Sequence, residues 1–209
     1  MIPRRSILFA PSAALLVLAN PTRAQGNPSA PIVRLDAALL QAMRMGSQGA
    51  SFAQRYETVA PAVESTFDLP GILAASVGLG WSGFTPQQQQ ALLTVFTRYT
   101  VASFTSNFDS YNGQQIEILP QEQRQVGPDI VVATQITKAN GGAPTRLDYV
   151  MRRTPRGWQA VDVLADGTIS RVAVQRSDFR SLLAGGSPQP LIASLNEKTA
   201  SLSGGASPP

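Results

Sequence analysis

The chain has 209 residues, and none of them is cysteine or histidine. Without these residue types it cannot build a histidine-dependent protease triad, a zinc finger, an iron–sulfur site or a thioredoxin-type redox centre. The net charge of +4 would fit a nucleic-acid-binding protein, but the distribution of that charge along the chain argues against this interpretation.

The first 24 residues have the pattern of a secretory signal peptide. Arg4 and Arg5 precede an apolar run over residues 7–19, and Ala24 is a small residue suited to cleavage before Gln25. The alternative is a permanent membrane anchor, but the run is shorter than the about 20 residues that span a bilayer. Cleavage would leave 14 basic and 13 acidic residues, so we expect no nucleic acid as a partner. The adjacent arginines leave both the general and the twin-arginine export route open.

The first half of the mature chain is predicted to be helical. After a flexible leader over residues 25–33, apolar residues at helical spacing predict one helix that ends near Gly46 and a second helix after it. Asp68 is the predicted N-cap of a short third helix. Thr85, with Gln88 three residues later, has the pattern of a capping box and begins a fourth helix, which is apolar on more than one side.

From residue 111 onward, apolar residues recur at every second position, which is typical of β-strands. We predict an antiparallel meander over residues 116–118, 130–136, 147–151 and 158–164. The β-branched content of residues 169–174 favours a fifth strand, and Ser177 and Ser187 are predicted to begin two final helices. A tail over residues 203–209 is predicted to be disordered. The chain is therefore expected to form one α+β domain over residues 34–202, with an antiparallel sheet of about four strands packed against several helices.

One glycine-rich segment matches a cofactor motif only superficially. The sequence GLGWSG of residues 78–83 fits the G-x-G-x-x-G string of dinucleotide sites. That motif requires a preceding strand, whereas here a helix is predicted before it, and Trp81 would crowd the phosphate. We therefore interpret Gly80 as the C-cap of the third helix and expect no dinucleotide.

Two aspartates on neighbouring predicted strands, Asp148 and Asp162, are the only candidates for paired acid–base chemistry. Ion pairing is the simpler explanation, since strand alternation puts Asp148 on the same face as Arg146. Asp162 falls on the apolar side and needs a partner such as Arg171 or Arg176. The sequence therefore predicts no catalytic residue, no metal site and no cofactor.

Two further groups of side chains are candidates for binding. Four arginines are predicted to cluster at one end of the strand hairpin: Arg146, Arg152, Arg153 and Arg156. A solvated surface is the default interpretation of this cluster, and docking to acidic proteins or anionic headgroups is the candidate function. The fourth helix and the strands are also rich in aromatic residues. Their pattern alone fits a solid core and a hollow core equally well.

Seven short stretches, taken in order, resemble the periplasmic MlaC family of toluene-tolerance proteins. They are FDLP at 67–70, VGLGW at 77–81, FTPQQQ at 84–89, FTRY at 96–99, LDYVMRR at 147–153, GWQAVDV at 157–163 and GTIS at 167–170. The resemblance covers about residues 35–195, and residues 166–176 are most similar to the HpnM branch, which is associated with hopanoid synthesis. The resemblance also implies that residues 169–174 are helical or irregular rather than a strand.

The resemblance implies a periplasmic carrier that shuttles lipid between the outer and inner membranes of Gram-negative bacteria as the soluble component of an ABC-type transport system. The expected ligand is a phospholipid or a hopanoid-type lipid, and the expected partners are the membrane-bound lipid transport complexes of both membranes. The lipid is expected in an apolar cavity between sheet and helices, lined by Leu73, Val77, Trp81, Phe96, Tyr99, Phe104, Tyr111, Val132, Leu147, Tyr149, Met151 and Val163.

Two alternatives remain open at the level of the sequence. The first is an accessory protein that docks to a membrane complex through the arginines and carries no lipid. The second is a small enzyme that uses Asp148 and Asp162. An enclosed apolar cavity favours the carrier, whereas a solid interior favours the accessory protein.

Overall fold

The structure is a computed structural model that describes residues 26–205. The predicted signal peptide, residues 1–24, lies outside the described residues. The helices are α1 (Ala30–Ser47), α2 (Phe52–Thr66), α3 (Leu69–Val77), α4 (Pro86–Asn107), α5 (Arg171–Leu182) and α6 (Gln189–Leu202). The strands are β1 (Gln115–Ile118), β2 (Arg124–Val126), β3 (Asp129–Thr137), β4 (Thr145–Thr154), β5 (Gly157–Ala165) and β6 (Ile169–Ser170). Within residues 26–205, each helix is too short or too polar to cross a bilayer.

Local hydrogen bonds explain where the N-terminal helices begin. The backbone N–H of Gln88 donates to Oγ1 of Thr85 over 3.2 Å, and the backbone N–H of Thr85 donates to Oε1 of Gln88 over 2.9 Å. This confirms the predicted capping box at the start of α4. Asp68 caps α3 as predicted, since its Oδ1 accepts from the backbone N–H of Gly71. The C-cap of α3 is Gly78, with a φ of +74°, and the prediction of Gly80 is wrong.

Both ends of the described chain are more ordered than the sequence indicates. Helix α1 already begins at Ala30, so residues 30–33 of the predicted flexible leader are helical, and Ile32 is fully buried. Burial of Ile32 and Leu35 on the same face favours this earlier start. At the other end, Ser203 is buried in a turn closed by a hydrogen bond from the N–H of Gly205 to the carbonyl of Ala200. Residues 206–209 of the predicted tail lie outside the described residues.

The strands form one antiparallel sheet in the order β1-β3-β4-β5-β6, and β2 pairs with the other end of β3. The predicted α+β class and the meander are thus confirmed, with two short strands, β2 and β6, in addition to the expected four. The β4–β5 pairing contains a bulge, because Val150 pairs with Asp162 whereas Met151 pairs with Ala160. The bulge changes which residues of β5 share a face of the sheet.

The region after β5 differs from the strand prediction based on residues 169–174. Strand β6 contains only two residues, and α5 then begins at Arg171, six residues before the predicted cap at Ser177. The reason is local, since Oγ of Ser170 accepts a hydrogen bond from the backbone N–H of Ala173 and so caps α5. The helical conformation that the family resemblance implied is confirmed here.

The core lies where the helices meet the sheet. Leu39 of α1, Val63 of α2, Leu92 of α4 and Leu195 of α6 are all buried in one cluster. The sheet contributes Val132, Tyr149, Met151 and Ala160 to the same cluster. This arrangement leaves space between α3, α4, α5 and one end of the sheet, and that space is the candidate site.

Candidate functional site

A cavity of about 570 Å³ lies between the sheet and the helices. Helix α4 forms its longest wall with residues that follow helical spacing, namely Phe96, Tyr99, Thr100, Ser103, Phe104, Asn107 and, beyond its end, Phe108. Helices α3 and α5 close the opposite side with Leu69, Ile72, Val172 and Gln175. The sheet supplies Ile136, Leu147, Tyr149, Val163 and Ala165.

The deep part of the cavity is aromatic and apolar. Tyr149 is only 2% exposed, and its ring centroid lies 6.2 Å from that of Phe67. The ring of Phe67 lies 5.3 Å from that of Phe104, which in turn stacks on Phe108 at 6.3 Å. These four rings lead from the buried floor to the half-exposed wall. A surface of this kind can contact hydrocarbon without leaving a buried polar group unpaired.

The outer edge of the cavity is polar. Asn107, Lys138, Thr145 and Arg171 all border the cavity and are exposed. Among the described residues, neither Lys138 nor Arg171 forms an ion pair. The lining also includes Asp162, whose carboxylate accepts hydrogen bonds from Ser170 and Val172. The cavity therefore combines a mainly apolar interior with a rim that carries two cations, and an amphipathic ligand with an anionic head would complement it.

A buried carboxyl group lies in the core near this cavity. Asp36 of α1 is 7% exposed, and its Oδ1 has no hydrogen-bond donor within residues 26–205. Burial raises the pKa of Asp36 to about 7, so the neutral form is favoured in the folded protein. Burial raises the pKa of Tyr149 far above its usual value, and Asp36 adds to that effect when it is ionised. The hydroxyl of Tyr149 therefore stays protonated and neutral.

Six of the twelve residues predicted to bind lipid line this cavity: Phe96, Tyr99, Phe104, Leu147, Tyr149 and Val163. The other six lie elsewhere. Leu73, Val132 and Met151 are fully buried in the solid part of the core. Val77 and Trp81 belong to the end of α3 and the 3-10 segment Gly78–Gly83. Tyr111 lies under the guanidinium group of Arg44, whose Cζ is 5.1 Å from the centroid of the Tyr111 ring.

Sequence reasoning also missed several lining residues. Thr100, Ser103 and Asn107 are polar, so a search for aromatic and aliphatic side chains passes over them, although they follow Phe96 at helical spacing. Met43 of α1 and Phe67 at the end of α2 also contribute. They are apolar residues at helical spacing, but only the packing of the helices shows that they face an empty space.

This geometry can be compared with known proteins. The family model described as MlaC protein matches residues 34–197 of the chain. The chain belongs to the MlaC family. Among solved structures, the chain is similar to a phospholipid-binding protein from Ralstonia solanacearum, determined at 1.53 Å resolution in complex with a phospholipid. The two chains are 21% identical with a TM-score of 0.71, and the match covers 84% of this chain and 98% of that chain, which shows a common fold.

In this MlaC-family chain, the four predicted docking arginines do not form one cluster. Arg146 lies at the start of β4, whereas Arg152, Arg153 and Arg156 lie near the β4–β5 turn, about 20 Å away at the rise of an extended strand. Strand alternation indicates which face a residue occupies but not its distance along the strand. The prediction of one arginine cluster is therefore wrong.

Two of these arginines are engaged in ion pairs within the chain. Arg146 donates from Nε to Oδ1 of Asp148 over 2.9 Å and also pairs with Glu122. Hydrogen bonding to Asp148, and then to Glu122, raises the pKa of Arg146 above its usual value. Arg152 donates from Nη2 to Oδ2 of Asp129 over 2.6 Å, and this hydrogen bond raises its pKa. These guanidinium groups are less available to a partner than the sequence indicates.

The other two arginines lie beside a second concavity of this MlaC-family fold, a cleft of about 350 Å³ near the β4–β5 turn. Arg34 and Arg156 line this cleft together with Trp158. The guanidinium carbon of Arg153 lies 5.4 Å from the centroid of the Trp158 ring. The Nε1 of Trp158 is buried and has no acceptor among the described residues. We refer to this site as the Arg34–Arg156 cleft.

The two aspartates proposed as an acid–base pair are held by separate groups. Both oxygens of Asp148, which is fully buried, accept from Arg146, and Oδ2 also accepts from Arg124. Asp162 accepts from the backbone N–H of Val172 and from Oγ of Ser170 instead of from an arginine. The expected ion pair of Asp162 with Arg171 or Arg176 is therefore wrong.

The bulge explains the position of Asp162 in the MlaC-family sheet. Strict alternation would put Ala160 and Asp162 on one face, but the extra residue Val161 separates them. Ala160 and Val163 thus share the face of Tyr149, and Asp162 can cap the first turn of α5. Over residues 26–205, no group of three or more aspartates and glutamates is close enough to hold a metal ion.

Proposed function

We propose that this chain is a lipid carrier of the periplasm, which encloses the acyl chains of a phospholipid or a hopanoid-type lipid in the cavity between sheet and helices. The observation that carries the proposal is the cavity itself, with its aromatic floor around Tyr149 and its polar rim. The carrier would shuttle between the outer and inner membranes as the soluble component of an ABC-type lipid transport system.

The free energy of exposing hydrocarbon explains why such a carrier needs an enclosed site. Two acyl chains contain about 30 methylene groups, and each costs about 0.8 kcal/mol in water, which gives about 24 kcal/mol in total. A surface patch shelters only one side of a chain, so about half of this cost would remain. The cavity of about 570 Å³ is within the size range of ligand sites, about 300 to 1,000 Å³.

The rim supports an anionic headgroup. Lys138 and Arg171 are exposed at the edge of the cavity, and neither is neutralised by an ion pair within residues 26–205. A phosphate held at the rim would stay partly hydrated and would gain charge-assisted hydrogen bonds. Charge at the rim and apolar groups inside match the two ends of a phospholipid.

The comparisons support the same proposal. The chain belongs to the MlaC family, and a protein of the same fold from Ralstonia solanacearum was solved with a phospholipid bound. The N-terminal pattern of residues 1–24 supports export, and the partners would be the membrane-bound lipid transport complexes of both membranes. A carrier needs to bind lipid about as well as a bilayer does, so neither a cofactor nor an energy source is required on this chain.

The test is to ask whether the protein carries lipid when it is isolated. The protein is expressed with its full sequence, purified from the periplasmic fraction without detergent and extracted with organic solvent, and the extract is analysed by mass spectrometry. We expect about one lipid per protein, and the lipid class separates phospholipid from hopanoid. Protein that contains no lipid and accepts none from phospholipid vesicles would falsify the proposal.

A specific observation also favours docking to a membrane complex. The Arg34–Arg156 cleft offers two arginines beside the ring of Trp158, which suits an acidic segment of a partner protein. An accessory protein that docks and carries nothing would use this cleft alone. Replacing both Arg34 and Arg156 with glutamine should weaken partner capture and leave lipid content unchanged. A loss of partner capture in protein that contains no lipid would favour the accessory function over the carrier.

A further inference from the structure

Three of the exposed large apolar side chains lie on helix α5 or close to it. The large apolar residues exposed in the described part of the chain are Val33, Leu79, Val126, Ile169 and Val174. Leu79 is completely exposed, at 101% of its reference area, and Ile169 is 51% exposed. Leu79, Ile169 and Val174 border α5 and the 3-10 segment Gly78–Gly83. We call these three residues the Leu79 patch.

Hydrogen bonds fix the segment that carries Leu79 against α5. The Nε and Nη2 of Arg176 donate to the carbonyl oxygen of Ala75 over 2.9 and 2.6 Å. Oγ of Ser76 lies 3.0 Å from Oε1 of Gln175, to which it donates. Further along, Nε2 of Gln89 donates to the carbonyl oxygen of Trp81 over 2.9 Å. Leu79 is therefore exposed on an anchored segment.

The Leu79 patch borders the rim of the lipid cavity. Arg171, Val172 and Gln175 line the cavity, and Val174 belongs to the same two turns of α5. Ile169 pairs in the sheet with Ala165, which is also a lining residue. Leu79 follows Ser76, the residue that bonds to Gln175. Ile169 and Leu79 thus lie close to the α5 side of the cavity, and Val174 lies on the solvent-exposed side of the same helix.

Cations accompany these apolar residues. Helix α5 contains Arg171, Arg176 and Arg180 but only one acidic residue, Asp178. A patch of exposed leucine, isoleucine and valine beside arginines complements the surface of a bilayer that contains anionic lipid, because apolar side chains enter the interface while guanidinium groups contact phosphates.

We propose that the Leu79 patch is a membrane-contact surface, which holds the α5 side of the cavity rim against an anionic bilayer during lipid exchange. The proposal rests on the lipid-carrier function and adds a direct contact with the bilayer. Leu79 inserts into the headgroup region while Arg171 and Arg176 lie at the level of the phosphates. A lipid leaving the bilayer would then cross a shorter aqueous distance to the cavity.

The experiment measures sedimentation of the protein with vesicles of phosphatidylcholine, with and without phosphatidylglycerol. We expect binding to the anionic vesicles that weakens with added salt. Leu79→Ser should reduce binding about tenfold, since most of its apolar area is lost from the interface, and Val174→Ser should reduce it by less. Val126→Ser is the matched control, because Val126 is 54% exposed on β2 and should bind as the wild type does.

The outcomes separate this proposal from the carrier function. The lipid content of each variant is measured by mass spectrometry on the same preparations, and thermal unfolding confirms that each variant is folded. Wild-type protein that contains lipid but does not sediment with either vesicle overturns the membrane-contact proposal and leaves the carrier function intact. An equal loss of binding in Leu79→Ser and Val126→Ser also overturns it. Protein without lipid contradicts the carrier function itself.

Discussion

Arg146 forms a bidentate ion pair with Asp148 two residues along the same strand, with Nε 2.9 Å from Oδ1 and Nη2 3.2 Å from Oδ2. Arg124 of β2 reaches the same carboxylate over 3.0 Å, so Asp148 ties the short strand β2 and the segment around Glu122 to the central sheet. The Asp148 side chain is fully buried, whereas the two arginines remain partly exposed. The carboxylate of Asp148 therefore has a structural role, whereas the sequence alone left both ion pairing and acid–base catalysis open.

Replacing Asp148 with alanine should destabilise the protein more than replacing either arginine. Asp148→Ala leaves two guanidinium groups without their shared acceptor, and we expect the free energy of unfolding to fall by about 2 to 3 kcal/mol. Arg146→Ala leaves Arg124 in place and should cost about 1 kcal/mol, since Arg146 is one-third exposed. Urea unfolding measures both. Equal losses in the two variants would contradict a central role for the carboxylate.

The buried carboxyl of Asp36 predicts a pH-dependent stability. Because its pKa rises from an ordinary value of 3.8 to about 7 on folding, the folded protein holds one more proton than the unfolded chain between these values. The contribution of Asp36 is therefore most favourable below about pH 4 and is lost as the pH rises to about 7. The difference corresponds to about 4 kcal/mol as an upper estimate.

Asp36→Asn should remove this pH dependence and raise the free energy of unfolding at pH 8, where the wild type must bury a charged carboxylate. Urea unfolding at pH 5 and pH 8 measures the difference for each protein. Asp178→Asn on the exposed side of α5 is the control and should keep the wild-type slope. A slope in Asp36→Asn that matches the wild type would show that Asp36 is not the titrating group.

Filling the cavity should reduce lipid content without unfolding the protein. Thr100 and Ser103 line the cavity from α4 and are half-buried, so phenylalanine at either position adds a ring to the space. We expect Thr100→Phe combined with Ser103→Phe to lower bound lipid to less than about half of the wild-type value. Thr94→Phe is the control, since Thr94 is exposed on the same helix and does not line the cavity. Mass spectrometry of the purified proteins measures the lipid content.

The cations at the rim should speed the uptake of anionic lipids more than the uptake of zwitterionic lipids. Lys138→Gln and Arg171→Gln each remove one charge from the edge of the cavity, and each should slow uptake of phosphatidylglycerol from vesicles about two- to fivefold. A fluorescent-lipid transfer assay at low and high salt measures the effect, which salt should diminish. Lys198→Gln on the exposed face of α6 is the control. Equal uptake of both lipid classes by all three variants would argue against a headgroup site at the rim.

Local sequence patterns specified most of the secondary structure because they depend on neighbours in the chain. The cap at Thr85 and the alternation over residues 147–151 each act within a few residues, and the structure confirms both. The end of α3 and the start of α5 were predicted wrongly. Gly78 and Gly80 are both suitable C-caps for α3, and Ser170 and Ser177 are both suitable N-caps for α5. In each case the choice depends on packing against the rest of the fold.

What the sequence by itself determined is the α+β class, the positions of the main helices and strands, and six of the residues that line the cavity, since hydrophobic period and capping are encoded locally. Only the tertiary structure decided that the interior is hollow, because an apolar face has the same sequence pattern whether it meets another side chain or an empty space. It also decided where the charged groups lie. The bulge at Val161 places Asp162 beside α5, and the length of β4 separates Arg146 from Arg156. Such distances depend on how the strands are paired and where the helices are placed. The spacing of residues along the chain does not determine either of these.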